Sequence, residues 1–368
     1  MTDDISFSEE GGLATITLNR PKALNALTHD MVRALAPKLD SWEDDDGIKA
    51  ILIRGAGEKA FCAGGDVRAV WYSMMKAVDG GGYSFEGPSE LSRTFFMDEY
   101  RLNHAIHALS KPYVALIDGV TMGGGVGLSI HGSHRIATER LMFAMPESAI
   151  GLFPDVGGGW FLPRLPGETG MYLALTGARL GAAGALALGV ATHMVPAGRI
   201  GEFEAALTSE LAETTNGRAA VNDVLERFAE TPDAESDPVV AERAVIDRCF
   251  AQKSVEAIFD ALDREAKGGS AFAAETRDVL LKKSPTSLKI SFAQLRRGRD
   301  MSSLAQVLTM EYRMTQRCMA GGDFFEGIRA VLVDKDHAPN WSPASLAEVS
   351  NDLVDRYFAP LDDTEFSV

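Results

Sequence analysis

The sequence predicts an α/β fold followed by a helical C-terminal region. Between about residues 10 and 200, short apolar runs typical of strands alternate with segments of helical periodicity. Beyond residue 200 the strand signal stops, and amphipathic helical patterns such as "SVEAIFDALDREA" follow one another. We therefore expect two domains, a core formed by residues 1–200 and a helical region formed by residues 201–368.

The elements of the front half can be assigned in chain order. "LATITLNRP" alternates apolar and polar residues and ends at a proline, which indicates a strand. "NALTHDMVRALAPKLDSWEDD" places Leu27, Met31, Leu35 and Leu39 at helical spacing. "IKAILIRGAG" indicates a buried strand closed by glycines, and "KPYVALIDGVTMGGGVGL" contains further strand-like runs around a glycine cluster. The Gly- and Ser-rich stretch at residues 74–92 predicts a loop or insertion.

Composition narrows the class of partner and the compartment. The net charge of -16 argues against a nucleic-acid partner, because phosphate backbones bind basic surfaces. No apolar run reaches membrane-spanning length, so we expect no membrane partner. The N-terminus has no basic and apolar signal pattern. The three distant cysteines, Cys62, Cys249 and Cys318, lack metal-ligand spacing and predict no metal site and a reducing, cytoplasmic location.

Two glycine-rich turns follow strand-like segments, in "FCAGGDVR" and "DGVTMGGGVGLSIHG". Glycine lets a backbone approach a ligand closely and leaves its N–H group exposed. Two such turns could each donate one N–H to a single oxygen, as in an oxyanion hole. A bare tight turn or close helix packing would leave the same pattern. "GAGEKA" matches the dinucleotide-binding fingerprint only loosely, since the helix that this motif requires is missing.

Two carboxylates lie in the apolar stretch "FAMPESAIGLFPDVGGGWFLPRL", where Glu147 and Asp155 each follow a proline. An acid in an apolar pocket has a raised pKa and can serve as acid, base or nucleophile near neutral pH. Taken alone, the pattern favours a helix-capping glutamate and a turn aspartate instead. Ser129 and His131 do not form a G-x-S-x-G motif and are interpreted as structural residues.

Four motifs occur in a characteristic order: "LNRPKALNAL", "KAFCAGGD", "GVTMGGGVGL" and "MPESAIGLFPDVGG". Together they resemble the crotonase superfamily, also called the enoyl-CoA hydratase/isomerase family. The resemblance implies a ClpP/crotonase-like spiral of ββα turns around two roughly perpendicular sheets, followed by a helical region. It also implies an acyl-CoA substrate with no separate cofactor, because coenzyme A is part of the substrate. Members of the superfamily often form trimers or hexamers, which makes a homo-oligomer a further expectation.

The resemblance assigns roles to residues in the two glycine turns and in the motif that carries the two acids. It implies an oxyanion hole formed by the N–H of Ala63 or Gly64 together with that of Gly124. It implies that Glu147 reacts, either attacking the thioester carbonyl or deprotonating a water. Asp155 stands where hydratases of this family usually carry a glycine, and would orient the water or acyl group or protonate the leaving thiolate.

One departure from the hydratase pattern favours hydrolysis. Hydratases of the family use a second glutamate at the position that Gly127 occupies here. The motifs, with the C-terminal "FFEGIRAVLVDKDHAPNW", are most similar to a hydrolase subgroup that acts on 3-hydroxyisobutyryl-CoA in valine breakdown. In that subgroup a residue matching Glu99 contacts the substrate. An enoyl-CoA hydratase or isomerase and a non-catalytic acyl-CoA-binding protein are the alternatives.

An acidic protein that binds coenzyme A needs local cations for the phosphates. Basic residues that lie in or beside the family motifs are candidates: Arg20, Lys22, Lys59 and Arg68. Each of them is equally well explained as an ordinary solvated surface charge.

Overall fold

A computed structural model describes residues 3–77, 83–361 and 365–368 of the 368-residue chain. Most of its strands lie before residue 145. The strands are β1 (Ile5–Glu10), β2 (Leu13–Leu18), β3 (Ala50–Gly55), β4 (Ala60–Cys62), β5 (Met75–Ala77), β6 (Tyr83–Phe85), β7 (Tyr113–Ile117), β8 (Val120–Met122), β9 (His134–Ala137), β10 (Met142–Ala144) and β11 (His193–Met194).

Helices dominate the rest of the chain, and beyond Met194 the described residues contain helices but no strand. The predicted helical C-terminal region is thus observed. The α-helices are α1 (His29–Glu43), α2 (Val67–Ser73), α3 (Glu90–Ala108), α4 (Gly124–Ile130), α5 (Gly158–Phe161), α6 (Thr169–Thr176), α7 (Ala182–Ala187), α8 (Ile200–Glu213), α9 (Gly217–Phe228), α10 (Pro238–Ala241), α11 (Arg243–Phe250), α12 (Val255–Lys267), α13 (Ala271–Leu280), α14 (Pro285–Asp300), α15 (Leu304–Ala320), α16 (Gly322–Ile328) and α17 (Asn351–Phe358). None of the described helices is both long and apolar enough to cross a bilayer.

Two compact units divide the chain, and each is assembled from three separate stretches. The stretches of the first unit are Met1–Gly65, Arg101–Ala144 and Arg179–Ala241. Those of the second unit are Asp66–Tyr100, Met145–Ala178 and Glu242–Val368. The boundary between domains near residue 200 stays a prediction.

The first unit contains a six-stranded sheet with the order β1-β2-β3-β7-β9-β11. Strand β1 pairs antiparallel with β2, and the other neighbours are parallel. Every residue of β7, "YVALI", is buried, as expected for a parallel strand that is covered on both faces. One apolar cluster joins residues of this sheet, such as Leu52 and Val114, to Phe203 of α8 and Val221 of α9.

Helix α1 lies within the segment that the sequence spacing predicts to be helical, and Leu27 precedes its first residue. The side chain of Thr28 accepts a hydrogen bond from the N–H of Met31, which satisfies one of the free donors of the first turn. Met31, Leu35 and Leu39 are all buried, so the apolar face identified from their spacing is the face that packs.

A second, three-stranded parallel sheet in the first unit has the order β10-β8-β4. Strand β4 ends at Cys62 and β8 ends at Met122, so a glycine-rich turn follows each strand. Because neighbouring parallel strands end at the same edge of a sheet, this topology brings the two glycine turns together.

The loop predicted at residues 74–92 includes two short strands. β5 and β6 pair antiparallel, with Met75 opposite Phe85. Residues 78–82 of the predicted loop lie outside the described residues. A strand of three residues is too short for its alternation to stand out in a sequence, which is why the pattern indicated only a loop.

Helices make up most of the second unit. Its middle stretch contains the short 3-10 helix Glu147–Ile150, and a loop then leads from Gly151 to helix α5. Helix α14 packs so closely on α5 that a Cβ added at Gly298 would lie 2.1 Å from the carbonyl oxygen of Gly159. Helix α14 therefore lies directly against the helix that follows the Asp155 loop.

Candidate active site

The two glycine turns lie next to each other, as the sheet topology requires. A Cβ added at Gly64 would be 3.9 Å from the backbone nitrogen of Gly124. Gly64 has a φ of +117°, which side chains of L-residues rarely allow. The N–H of Ala63 donates to the carbonyl oxygen of Leu24 at 3.0 Å. Of the two alternatives, Gly64 is therefore the better donor, since the described residues offer its N–H no acceptor.

Close packing explains part of the triple glycine. A Cβ added at Gly125 would lie only 2.2 Å from the carbonyl oxygen of Cys62, so this position has room for glycine alone. Ser129 hydrogen-bonds through its hydroxyl to the carbonyl oxygen of Gly125 at 3.0 Å, within helix α4. Gly124, in contrast, is the first residue of that helix, where the N–H has no partner inside the helix. The oxyanion hole of Gly64 and Gly124 stays a prediction that this geometry permits.

The second unit contains three predicted carboxylates, and all three are buried. Glu147 begins the 3-10 helix after Pro146, Asp155 follows Pro154 in the next loop, and Glu99 lies on helix α3. Their exposed fractions are 5%, 4% and 2%, respectively. Ionised carboxylates are rarely buried to this extent without a cation or several hydrogen-bond donors.

Burial raises the pKa of each of these three carboxyls, and the charge of Asp155 adds to the rise for the two glutamates. Burial raises the pKa of Glu147 well above its usual range, the charge of Asp155 adds to this rise, and Lys283 opposes it. Burial, followed by the charge of Asp155, also raises the pKa of Glu99. Burial raises the pKa of Asp155 to about 7, although the hydroxyl of Tyr100 opposes the rise. The group can therefore exchange protons near neutral pH, as an acid or base in catalysis must.

Two oxygens of these carboxyls have no hydrogen-bond partner among the residues that the structure describes. Oε2 of Glu147 and Oε1 of Glu99 are buried, and no described residue donates to either atom. Leaving a buried polar atom unpaired costs about 1–3 kcal/mol, so proteins rarely do so without a reason. Both atoms are therefore candidates to bind polar groups of a substrate. Among the described residues, no cluster of three or more His, Cys, Asp or Glu side chains is arranged to hold a metal ion.

Two buried groups beside the predicted site were not identified from the sequence. Tyr100 donates a hydrogen bond from its hydroxyl to Oδ2 of Asp155 at 2.8 Å. Its position directly after Glu99 in "FFMDEYRLN" was the available signal. Glu311 accepts hydrogen bonds from the backbone N–H groups of Gly157 and Gly159. The available signal in the sequence was that Glu311 is an acidic residue on the apolar face of a helix.

Replacing Tyr100 with phenylalanine is expected to raise the pKa of Asp155 above about 7. The change removes a hydroxyl donor that favours the ionised carboxylate. The measurement is a pH titration of the Asp155 carboxyl ¹³C resonance by NMR, assigned with Asp155→Asn. Tyr72, an exposed tyrosine of the same unit, provides the control, and Tyr72→Phe should leave the titration unchanged. An unchanged pKa in Tyr100→Phe would show that the hydroxyl does not stabilise the carboxylate.

The predicted phosphate-binding cations differ in their surroundings. Arg20 donates to the carbonyl oxygen of Ala26 at 2.7 Å and lies 3.6 Å from the carboxylate of Asp4. Its guanidinium is therefore already bound to other groups of the protein. The side chains of the other candidates are exposed and make no hydrogen bond or ion pair with any described residue. These are Lys22, Lys59 and Arg68. Their contact with phosphates stays a prediction.

Comparison with known proteins places the chain among relatives of similar length. A curated protein of Danio rerio, named 3-hydroxyisobutyryl-CoA hydrolase, mitochondrial, is 48% identical over 366 residues, covering 99% of this chain and 92% of that relative. The Homo sapiens protein of the same name is 45% identical over 362 residues, covering 98% of this chain and 89% of that relative.

These names show that the predicted cytoplasmic location is wrong, because the relatives are named as mitochondrial. The prediction depended on three cysteines that are far apart in the sequence and lack metal-ligand spacing. Cysteines without disulfides argue against an oxidising compartment, but they do not distinguish between compartments that keep thiols reduced.

Solved structures agree with the predicted fold. A carnitinyl-CoA dehydratase from Mycobacterium thermoresistibile is 40% identical with a TM-score of 0.88, covering 100% of this chain and 99% of that one. An enoyl-CoA hydratase from Rhodobacter sphaeroides 2.4.1 is 34% identical with a TM-score of 0.86, covering 100% of both chains. The predicted crotonase-like α/β fold is confirmed. Because the family model described as enoyl-CoA hydratase/isomerase also matches residues 13–358, the chain belongs to the enoyl-CoA hydratase/isomerase family.

Proposed function

We propose that this chain hydrolyses an acyl-CoA thioester, converting 3-hydroxyisobutyryl-CoA and water into 3-hydroxyisobutyrate and coenzyme A, a step of valine breakdown. The observation that carries the proposal is the buried carboxyl of Glu147, which has a raised pKa and an unpaired oxygen, with Asp155 as its electrostatic partner. The names of the curated relatives, which match almost the whole chain, support the same substrate.

The proposed reaction begins with the thioester carbonyl. Its oxygen accepts hydrogen bonds from the N–H groups of Gly64 and Gly124, which stabilise the negative charge as the carbonyl carbon is attacked. In one route, ionised Glu147 removes a proton from water, and the resulting hydroxide attacks that carbon. The C–S bond then breaks, and the thiolate of coenzyme A takes up a proton from Asp155. Transfer of the proton held by Glu147 to Asp155 restores both groups.

In the second route, Glu147 itself is the nucleophile. Its carboxylate forms a bond to the acyl carbon while the C–S bond breaks, which gives a mixed anhydride, and the leaving thiolate takes up a proton from Asp155. Water then hydrolyses the anhydride and restores the carboxylate of Glu147, and the proton released returns to Asp155. Both routes consume one water and need no oxidant or reductant, so we propose that the enzyme requires no cofactor. A homo-oligomer remains a further proposal.

The site favours hydrolysis over hydration because a carboxylate is missing. Gly127, at the position of the second hydratase glutamate, is buried within helix α4 and has no side chain. Addition of water across a double bond would therefore lack half of its acid and base pair. The unpaired Oε1 of Glu99 suits a substrate hydroxyl, which an enoyl chain does not have.

The test compares two thioesters under the same conditions. Incubation with 3-hydroxyisobutyryl-CoA is expected to release thiol, which a thiol reagent measures. A parallel sample with EDTA tests whether the release needs a metal ion. Incubation with crotonyl-CoA is expected to leave the enoyl absorbance unchanged. Loss of enoyl absorbance without thiol release would favour a hydratase, and binding of both thioesters without turnover would favour a non-catalytic protein. Isobutyryl-CoA, which lacks the hydroxyl, should be the poorer substrate if Glu99 binds that group.

A further inference from the structure

The turn that carries Asp155 has a strained backbone. Val156, the next residue, has a φ of +50°, and Gly157 has a φ of +87°. A β-branched residue in the left-handed region is rare, because its Cβ crowds the neighbouring backbone. Such a conformation persists only where the surrounding structure holds it in place. The turn therefore requires specific support from its own unit.

Glu311 on helix α15 supplies that support. Its Oε2 accepts a hydrogen bond from the N–H of Gly157 at 2.7 Å, and its Oε1 accepts one from the N–H of Gly159 at 2.8 Å. Both lengths lie within the normal range of N–H···O hydrogen bonds. Gln294 donates from Nε2 to Oε1 of Glu311 at 2.9 Å and to the carbonyl oxygen of Pro154 at 2.7 Å. The turn is thus held on both sides of Asp155.

The same helix also contacts the hydroxyl that binds the Asp155 side chain. Thr315 lies one helical turn after Glu311, and its hydroxyl is 2.7 Å from the hydroxyl of Tyr100. Tyr100 in turn donates to Oδ2 of Asp155. Helix α15 therefore supports both the backbone and the carboxyl group of Asp155.

A purely structural role does not account well for an acid at this position. Glu311 is 0% exposed, and burial raises its pKa to about 8 although the N–H groups of Gly159 and Gly157 oppose the rise. Burying a carboxylate costs more than burying an apolar side chain of similar volume. Its neighbours on the same helix face, Val307 and Met314, are apolar and buried. The carboxyl group has two oxygens at a fixed separation that can accept hydrogen bonds, and an apolar side chain has none.

We propose that Glu311 is a positioning residue for Asp155, fixing through the N–H groups of Gly157 and Gly159 the strained turn from which the Asp155 carboxyl acts. This inference rests on the proposed hydrolysis, in which Asp155 takes part. Glu311 touches neither the substrate nor the reacting atoms in this role. Glu311 affects turnover only by positioning Asp155.

The test uses Glu311→Gln, which keeps the shape of the side chain but replaces one acceptor oxygen with an NH₂ donor that faces N–H groups. We expect kcat per folded protein to fall about 10- to 100-fold, as small misplacements of catalytic groups do. KM should change less than about threefold. In an Asp155→Asn background the same substitution should lower kcat less than about threefold, because residues that act through one another are not additive.

The matched control is Glu168→Gln, which alters a carboxylate of the same unit that is bound to Arg296 and Arg299. This control should keep wild-type kcat. An equal loss of kcat from Glu311→Gln in both backgrounds would overturn the proposal, since Glu311 would then act independently of Asp155.

Amide hydrogen exchange provides a readout that needs no turnover. The amides of Gly157 and Gly159 should exchange at least about tenfold faster in Glu311→Gln than in the wild type or in Glu168→Gln. Unchanged exchange would overturn the positioning role. If the wild type releases no thiol from 3-hydroxyisobutyryl-CoA, the proposed function fails, while exchange still decides whether Glu311 holds the turn.

Discussion

Replacing Glu147 with glutamine is expected to lower kcat for coenzyme A release by at least about 10³-fold, with KM changed less than about threefold. Glutamine keeps the shape and polarity of the side chain, so the substrate should still bind. It can neither remove a proton from water nor form an anhydride, so both proposed routes are blocked. The measurement is the initial rate of thiol release over a range of 3-hydroxyisobutyryl-CoA concentrations.

The control for this variant is again Glu168→Gln, a carboxylate of the same unit whose oxygens bind arginines. Near-wild-type hydrolysis by Glu147→Gln would refute the assigned role. In the wild type, rapid quenching during turnover distinguishes the two routes. A peptide containing Glu147 that carries the mass of the acyl group indicates a nucleophile, and its absence at saturating substrate indicates a general base.

Replacing Asp155 with asparagine is expected to lower kcat by about 10²-fold, within the range typical of general acid catalysis. Burial raises the pKa of Asp155 to about 7. The protonated form donates to the thiolate in the proposed reaction, so wild-type activity should fall as the pH rises through about 7. That limb of the pH–rate profile should be missing from Asp155→Asn. A profile with the same inflection in the variant would assign it to another group.

Asp155→Asn should also be more stable than the wild type at pH 8, even though it is less active. The folded-state pKa of about 7 lies above the value of 3.8 that the group has when exposed. The folded protein therefore binds this proton more tightly, and its stability decreases as the pH rises from about 4 to about 7. Asparagine does not ionise and avoids that loss. Thermal unfolding at pH 5 and pH 8 measures the difference, and an equal fall in Tm for both proteins would contradict it.

Local sequence predicted the parts of the site that are local motifs. The two glycine turns and the paired acids each occupy a short stretch, but these patterns taken alone also fitted plain turns and a helix cap. Their roles were assigned by the resemblance of the four motifs to the enoyl-CoA hydratase/isomerase family. Helix α1 was equally accessible, because the cap at Thr28 and the apolar spacing lie within one segment. The sequence alone could not show whether the N–H of Ala63 or that of Gly64 is available for the oxyanion. The N–H of Ala63 donates to the carbonyl oxygen of Leu24, which lies 39 positions earlier in the chain.

Contacts between distant segments could not be predicted in this way. Glu311 meets Gly157 across 154 positions of sequence, and Tyr100 meets Asp155 across 55. No periodicity connects such pairs, because only the packed fold brings them together. An acid between Val307 and Met314 on an apolar helix face was the one local sign, and it indicates that a buried partner exists without identifying it.

The arrangement of each unit from three stretches has a consequence for synthesis and for engineering. A ribosome completes the first unit only when Ala241 has emerged, although its first stretch ends at Gly65. The second unit waits longer, because Asp66–Tyr100 is made long before Glu242–Val368. Its early stretch carries apolar residues that must remain unaggregated during translation. No single cut releases either unit intact, so this enzyme offers no continuous gene segment that could be transplanted as a folding module.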